Sequence, residues 1–164
     1  MTTGIGWDVH RLQAGRPFVL GGVAVDHHSG PLGHSDADVL VHAIIDAMLG
    51  AAGLGDIGEH FPDTDPTYAG ADSMGLLAAT VDQLSGAGLR VAHVDATVLL
   101  ERPKLAPVKA AIRARLAAAL SVAEQHVNVK ATRGEGMGFV GREEGIAALA
   151  VVTVAPTGPG APAS

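Results

Sequence analysis

Trp7-Asp8-Val9-His10 and Val39-Leu40-Val41-His42-Ala43-Ile44-Ile45-Asp46 decide how this chain is read. Residues 2–12 read as a strand, in which side chains alternate between faces, so Asp8 and His10 leave the same face. The segment around His42 reads as a helix that is apolar almost all round and should therefore be buried. An imidazole without a partner is costly there. Two imidazoles and one carboxylate, with a fourth position open, form the ligand set of a catalytic Zn²⁺. Spacing alone leaves the plain alternative open: His42 as a satisfied core histidine and Asp8-Val9-His10 as a polar strand end, since short D-x-H pairs are common.

The residues around this helix sharpen the picture. Ser35, Asp36 and Asp38 are N-cap candidates for a helix running to about Leu49. His34 is not needed for capping. A helix N-terminus beside a cation is a seat for phosphate, so His34 is a candidate phosphate donor. Asp46 follows His42 by four residues, on the same helical face. It is expected to orient the far nitrogen of a metal-bound His42; the alternative is an ion pair with some Lys or Arg.

Outward from there, Pro17 to Val25 reads as a strand pair around Gly21-Gly22, and Asp26 to Pro31 as turn-rich. Gly50 to Asp72 reads as one long irregular segment, a length usually functional or disordered in a compact domain. Asp72 and Ser73 cap a second helix, which Gly86 and Gly88 stop. Arg90 to Leu100 is a strand. Pro103 and Pro107 open a third helix with the stripe Val108, Ile112, Leu116 and Leu120. His126 to Thr132 alternates as a strand, a glycine-rich turn follows from Gly134 to Gly141, and Ile146 to Val154 is the last strand. Strands mixed with three helices predict an α+β fold: one compact domain over residues 1–155, a mixed sheet with helices on one face, and a disordered tail over 156–164.

Composition bounds the function. Of 164 residues, 48% are hydrophobic, 17% charged and only 3% aromatic, so the core must be built from Ala, Val, Leu and Ile. A net charge of -6 argues against nucleic acid as a partner. Having no cysteine excludes disulfides and thiolate sites and fits a reducing compartment. The longest apolar run, Gly145 to Ala155, is too short to span a membrane, and no secretory signal opens the chain, so a cytoplasmic protein is expected. Gly53-Leu54-Gly55-Asp56-Ile57-Gly58 fits G-x-G-x-x-G. It follows a helix, not a strand, so a dinucleotide loop is rejected. Glu135, in the glycine-rich turn, could hold a hard cation such as Mg²⁺, although a lone loop Glu is usually solvated.

Together these motifs resemble the 2-C-methyl-D-erythritol 2,4-cyclodiphosphate synthase family of non-mevalonate isoprenoid biosynthesis. The resemblance runs from Gly4 to Val154. It rests on Asp8-Val9-His10, Gly21-Gly22-Val23, His34-Ser35-Asp36, Asp46-Ala47, Gly55-Asp56-Ile57-Gly58, Phe61-Pro62-Asp63-Thr64-Asp65-Pro66, Gly70-Ala71-Asp72-Ser73, Pro103-Lys104, Val127-Asn128-Val129-Lys130-Ala131-Thr132 and Gly141-Arg142-Glu143-Glu144-Gly145.

The resemblance implies a homotrimer with active sites between subunits. It implies zinc on Asp8, His10 and His42, and Mg²⁺ or Mn²⁺ on Glu135. Substrate contacts would come from Asp8, His10, His34, Ser35, Asp56, Ile57 and Gly58, and from a mobile loop of Phe61, Pro62, Asp63, Thr64 and Asp65. The cytidine pocket would fall on Leu100, Pro103, Lys104, Leu105, Ala106, Ala131 and Thr132. Phe139 and Arg142 would line a central cavity able to take an isoprenoid diphosphate. The implied reaction is cyclisation of 4-diphosphocytidyl-2-C-methyl-D-erythritol 2-phosphate with loss of CMP. A zinc-dependent phosphohydrolase and an inactive trimeric nucleotide- or isoprenoid-diphosphate-binding protein are the alternatives. One departure stands out: the family's usual second threonine, credited with helping to stabilise the transition state, is here Arg133. Its guanidinium can bind phosphate oxygens, but with different reach and geometry.

Overall fold

A computed structural model describes residues 1–62, 64–65 and 70–158. The chain runs β1 (Thr2–Ala14), β2 (Val19–Leu20), β3 (Val23–Ala24), β4 (Ser29–Leu32), α1 (Val39–Ala52), α2 (Ile57–His60), α3 (Ser73–Gly86), β5 (Leu89–Leu99), α4 (Lys109–Leu120), β6 (Val127–Thr132), α5 (Gly138–Gly141) and β7 (Gly145–Pro156). Five strands form one sheet in the order β4-β1-β7-β5-β6. Only β5 and β6 pair in parallel; the other neighbours are antiparallel. The expected mixed sheet in a single α+β domain is therefore present.

Alternation in β1 divides its residues sharply. Gly6 is buried and Gly4, Asp8, His10 and Leu12 are half-buried, whereas Ile5, Trp7 and Val9 are exposed on the opposite face. Helix α1 covers the inner face of β1 and β7 and packs on α3, which in turn packs on α4. Burying α1 on all sides is what its composition demands: ten of its residues, from Val39 to Ala51, are buried.

The ends of α1 show how residues set its limits. Asp38 is its N-cap, accepting from Val41 N–H at 3.2 Å with one carboxylate oxygen and from Gly22 N–H at 2.7 Å with the other. Burial pushes the Asp38 carboxyl up, and the backbone N–H groups of Gly22, Gly21 and Val41 oppose that shift. The same side chain therefore starts the helix and pins the β2–β3 hairpin, whose two-residue turn Gly21-Gly22 has positive φ at both positions, as a type I′ turn requires. Gly50 does not end α1. Gly53 does, at φ 70°, with the Leu54 N–H reaching back to the Leu49 carbonyl.

Three expectations need correction. Asp26 to Pro31 is not all turn: Ser29–Leu32 is the edge strand β4, paired with Arg11–Ala14. Pro31 hides it in the sequence, but an edge strand tolerates proline. The segment from Gly50 to Asp72 is not uniformly irregular, since α1 runs to Ala52 and Asp56 caps the single turn α2. The glycine-rich turn holds the short helix α5. Of the tail, Pro156 ends β7 and the Thr157 N–H donates to the Gly88 carbonyl at 2.8 Å; residues 159–164 lie outside the described residues.

Candidate metal centre and substrate cavity

Two glycines bring the ligands together. A Cβ at Gly4 would lie 2.2 Å from the Ala47 carbonyl oxygen, and one at Gly6 would lie 2.0 Å from that of Ala43. No side chain fits there, so the backbone of α1 rests directly on β1. His42 is next to Ala43, and Asp8 and His10 continue the inner face of β1 past Gly6. The helix therefore delivers His42 onto Asp8.

The three ligand atoms converge. Asp8 Oδ2 is 3.0 Å from His10 Nε2 and 3.0 Å from His42 Nδ1, and the two nitrogens are 3.3 Å apart. Tetrahedral zinc with bonds of about 2.0–2.1 Å requires ligand atoms roughly 3.3 Å apart. The donor set and the spacing both fit a zinc ion, and this is the one group of its kind among the described residues. Burial alone would push the Asp8 carboxyl up, but hydrogen bonds and charge from His10 and His42 outweigh it and hold Asp8 well below the usual carboxylate range. Burial pulls His10 down, but Asp8 and a hydrogen bond to the Leu32 backbone turn the net shift upward.

Asp46 does not orient His42. Its Oδ1 accepts from the Ile57 N–H at 3.1 Å, tying α1 to the first residue of α2. Helical side chains lean toward the helix N-terminus, so the His42 ring points away from the turn that carries Asp46. Its outer nitrogen, Nε2, meets Ser73 Oγ at 2.9 Å and Ser35 Oγ at 3.2 Å. The spacing of four residues put Asp46 on the right face but behind the ring.

His10 and His42 open onto a cavity of about 550 Å³. Of the residues expected at the substrate, His34, Ser35, Ile57, Gly58, Phe61 and Pro62 line it. Leu32, Gly33 and Leu76 also line it and were not anticipated. Only the closeness of Gly33 to the His10 ring has a local signature, a glycine where a Cβ would lie 3.1 Å from His10 Cε1. Asp56 caps α2, accepting from the Glu59 N–H at 3.0 Å, and so sets the position of Ile57 and Gly58. Thr64 is exposed, the Asp65 N–H donates to the Pro62 carbonyl at 3.1 Å, and Asp63 lies outside the described residues.

A second cavity, of about 250 Å³, gathers Leu100, Pro103, Lys104, Leu105 and Ala106 with Ala131, Thr132 and Arg133. The Leu100 N–H donates to the Thr132 carbonyl at 3.0 Å, which extends the β5–β6 pairing and holds both strand ends together. Glu101, within the expected Leu100 to Ala106 stretch, accepts from the Gly134 N–H at 2.9 Å. Arg133 and Glu135 are exposed and paired with each other at 2.9 Å. Asp8, Ala148, Val98 and Ala131 stand in one row across the sheet. The metal ligands and the second cavity are thus about 14 Å apart, three strand spacings. Phe139 flanks a third groove beside Val9 to Leu12 and Glu144, and Arg142 pairs with Glu144 at 2.9 Å.

The YgbB family model matches residues 1–155. The 2-C-methyl-D-erythritol 2,4-cyclodiphosphate synthase of Salinibacter ruber is 58% identical over 154 residues, 94% of this chain and 98% of that protein. A solved 2C-methyl-D-erythritol-2,4-cyclodiphosphate synthase in its CDP-bound form superposes with a TM-score of 0.87 at 35% identity, over 93% of this chain and 99% of the other. The CDP complex of IspF from Plasmodium falciparum gives a TM-score of 0.84 at 27% identity, over 96% and 97%. With its sequence, its fold and its Asp-His-His cluster in agreement, the chain belongs to the YgbB family of 2-C-methyl-D-erythritol 2,4-cyclodiphosphate synthases.

Proposed function

We propose that this chain converts 4-diphosphocytidyl-2-C-methyl-D-erythritol 2-phosphate into 2-C-methyl-D-erythritol 2,4-cyclodiphosphate and CMP, as a phosphorus–oxygen lyase of non-mevalonate isoprenoid biosynthesis. The observation that carries the reading is the convergence of Asp8, His10 and His42 at 3.0–3.3 Å beside a cavity bordered by His34 and Ser35.

The substrate supplies its own nucleophile. An oxygen of its 2-phosphate attacks the β-phosphorus of its diphosphate. The bond from that phosphorus to the bridging oxygen breaks, and CMP leaves with the electron pair. The protein has to bring two ends of one molecule together and stabilise charge. Zn²⁺ on Asp8, His10 and His42, with Mg²⁺ or Mn²⁺ at Glu135, would polarise phosphate oxygens and neutralise their charge. His34, exposed at the cavity rim, donates to a phosphate oxygen. Ile57, Phe61 and Leu76 give the carbon skeleton an apolar wall that keeps water from competing. The pocket from Leu100 to Ala106, with Ala131 and Thr132, takes the cytidine.

Neither site is closed by one protomer, and Ile5, Trp7 and Val9 leave an apolar row exposed on the open face of β1. Both features support a homotrimer in which one subunit's metal ligands face its neighbour's cytidine pocket. Phe139 and Arg142 then surround a central cavity for an isoprenoid diphosphate. Incubation of the purified protein with substrate, Zn²⁺ and Mg²⁺, followed by mass spectrometry, tests the activity. Cyclic diphosphate plus CMP is the expected result. Linear phosphate products would instead mean a phosphohydrolase, and no turnover a binding protein.

A further inference from the structure

His42 has two ring nitrogens with different neighbours. Nδ1 faces Asp8 and His10, and Nε2 faces two hydroxyls. The hydroxyl of Ser73, 2.9 Å away, is fully buried at the first residue of α3. Its own proton is committed, because Ser73 Oγ donates to Asp36 Oδ1 across a very short contact. A hydroxyl that has given its proton away can only accept from the imidazole. The chain of donation therefore runs one way, from His42 Nε2–H to Ser73 and from Ser73 to the Asp36 carboxylate.

We propose that Ser73 and Asp36 are positioning residues for the metal centre: they hold the proton of His42 on Nε2 and so keep the Nδ1 lone pair aimed at the metal. This rests on the reading of Asp8, His10 and His42 as zinc ligands. Imidazole ligands are commonly steadied by a carboxylate on their far nitrogen; here a serine is interposed. The same carboxylate also holds the serine's backbone, since the Ser73 N–H donates to Asp36 Oδ2 at 3.2 Å. The two segments are also joined by their backbones, with Asp36 N–H donating to the Ala71 carbonyl at 3.2 Å and Gly70 N–H to the His34 carbonyl at 2.7 Å. Ser35 is a weaker candidate for the same task. It lies 3.2 Å from Nε2, and its oxygen already accepts the Ala37 N–H at 3.1 Å.

The test is zinc affinity of the purified full chain, measured by competition with a chromophoric chelator and independent of turnover. Ser73→Ala is expected to weaken zinc binding by about 10- to 100-fold, the usual effect of losing such a partner. Ser73→Thr, which keeps the hydroxyl, is expected to restore it, and Ser35→Ala to cost less than Ser73→Ala. Asp36→Asn, which leaves the serine in place but removes the charge, is expected to fall between wild type and Ser73→Ala. It also tests the relay if Ser73→Ala does not fold. Unchanged affinity in folded Ser73→Ala or Asp36→Asn, with binding abolished in His42→Ala, would overturn the relay and leave the ligand assignment intact. Loss in Ser73→Thr equal to that in Ser73→Ala would overturn it too. A wild-type protein that binds no zinc would remove both.

Discussion

The metal cluster and the pocket between Leu100 and Arg133 are built from opposite materials. Asp8, His10 and His42 come from the interiors of β1 and α1, and each is half-buried. Both imidazoles have a second partner, the Leu32 backbone for His10 and Ser73 with Ser35 for His42. The second pocket comes from the ends of β5 and β6 and the loops that follow. Of the charged residues at or near it, Arg133 is exposed and pairs with Glu135 at 2.9 Å, Arg102 pairs with Glu143 at 3.4 Å, and half-buried Glu101 accepts from the Gly134 N–H at 2.9 Å. Asp8, His10 and His42 are brought together by the packing of the α1 backbone on Gly4 and Gly6. The residues of the second pocket stand at the ends of two strands and in the loops that follow them.

Four experiments would break or sharpen that contrast. His42→Ala carries the largest expected effect: stoichiometric zinc and turnover both vanish while circular dichroism still reports a fold. Zinc retained in elemental analysis would remove His42 from the ligand set. Next comes complementation. Asp8→Ala and Thr132→Val protomers are each expected to be crippled, and mixing them is expected to restore part of the activity, because some interfaces then pair two intact halves. Mixed trimers that form but stay inactive would place both halves of the site in one subunit.

Gly6→Ala acts on the preassembled side alone. The added Cβ would lie 2.0 Å from the Ala43 carbonyl oxygen and 2.7 Å from the Ala47 nitrogen, so α1 must move. Overpacking of this kind costs about 1–3 kcal/mol. Chemical denaturation should show that loss together with weaker zinc binding, since His42 moves with the helix; unchanged zinc affinity would mean that the ligands are not set by this contact. Arg133→Ala acts on the open side and is expected to do least. With its head in solvent and paired to Glu135, Arg133 should lower kcat by well under 10²-fold when truncated, and Arg133→Thr should retain most of it. A fall of about 10²-fold or more, the scale of a lost oxyanion donor, would show that the guanidinium reaches the reacting phosphate.

The preassembled side was the more legible of the two in the sequence, because its signals are periodic. Alternation placed Asp8 and His10 together, and an all-apolar helix exposed His42 as an anomaly. Asp38 and Asp72 were readable as caps because capping is local. What escaped was decided by contacts distant in sequence or by elements too short to show a period. The Ser73–Asp36 pair joins residues 37 apart, and α2 is a single four-residue turn. Asp46 was misassigned because helical spacing gives a face but not the direction in which a ring leans. The strand β4 was hidden by Gly30 and Pro31, yet Gly30 is required there: a Cβ would lie 2.0 Å from the Pro17 carbonyl oxygen.

Trp7 is the chain's single tryptophan. It stands on the open face of β1, 49% exposed, one residue before Asp8. An indole in water emits at longer wavelength than one shielded from it. Association through that face would therefore announce itself as a blue shift in intrinsic fluorescence, and dilution would reverse it. Any such association could thus be read without a label introduced beside Asp8.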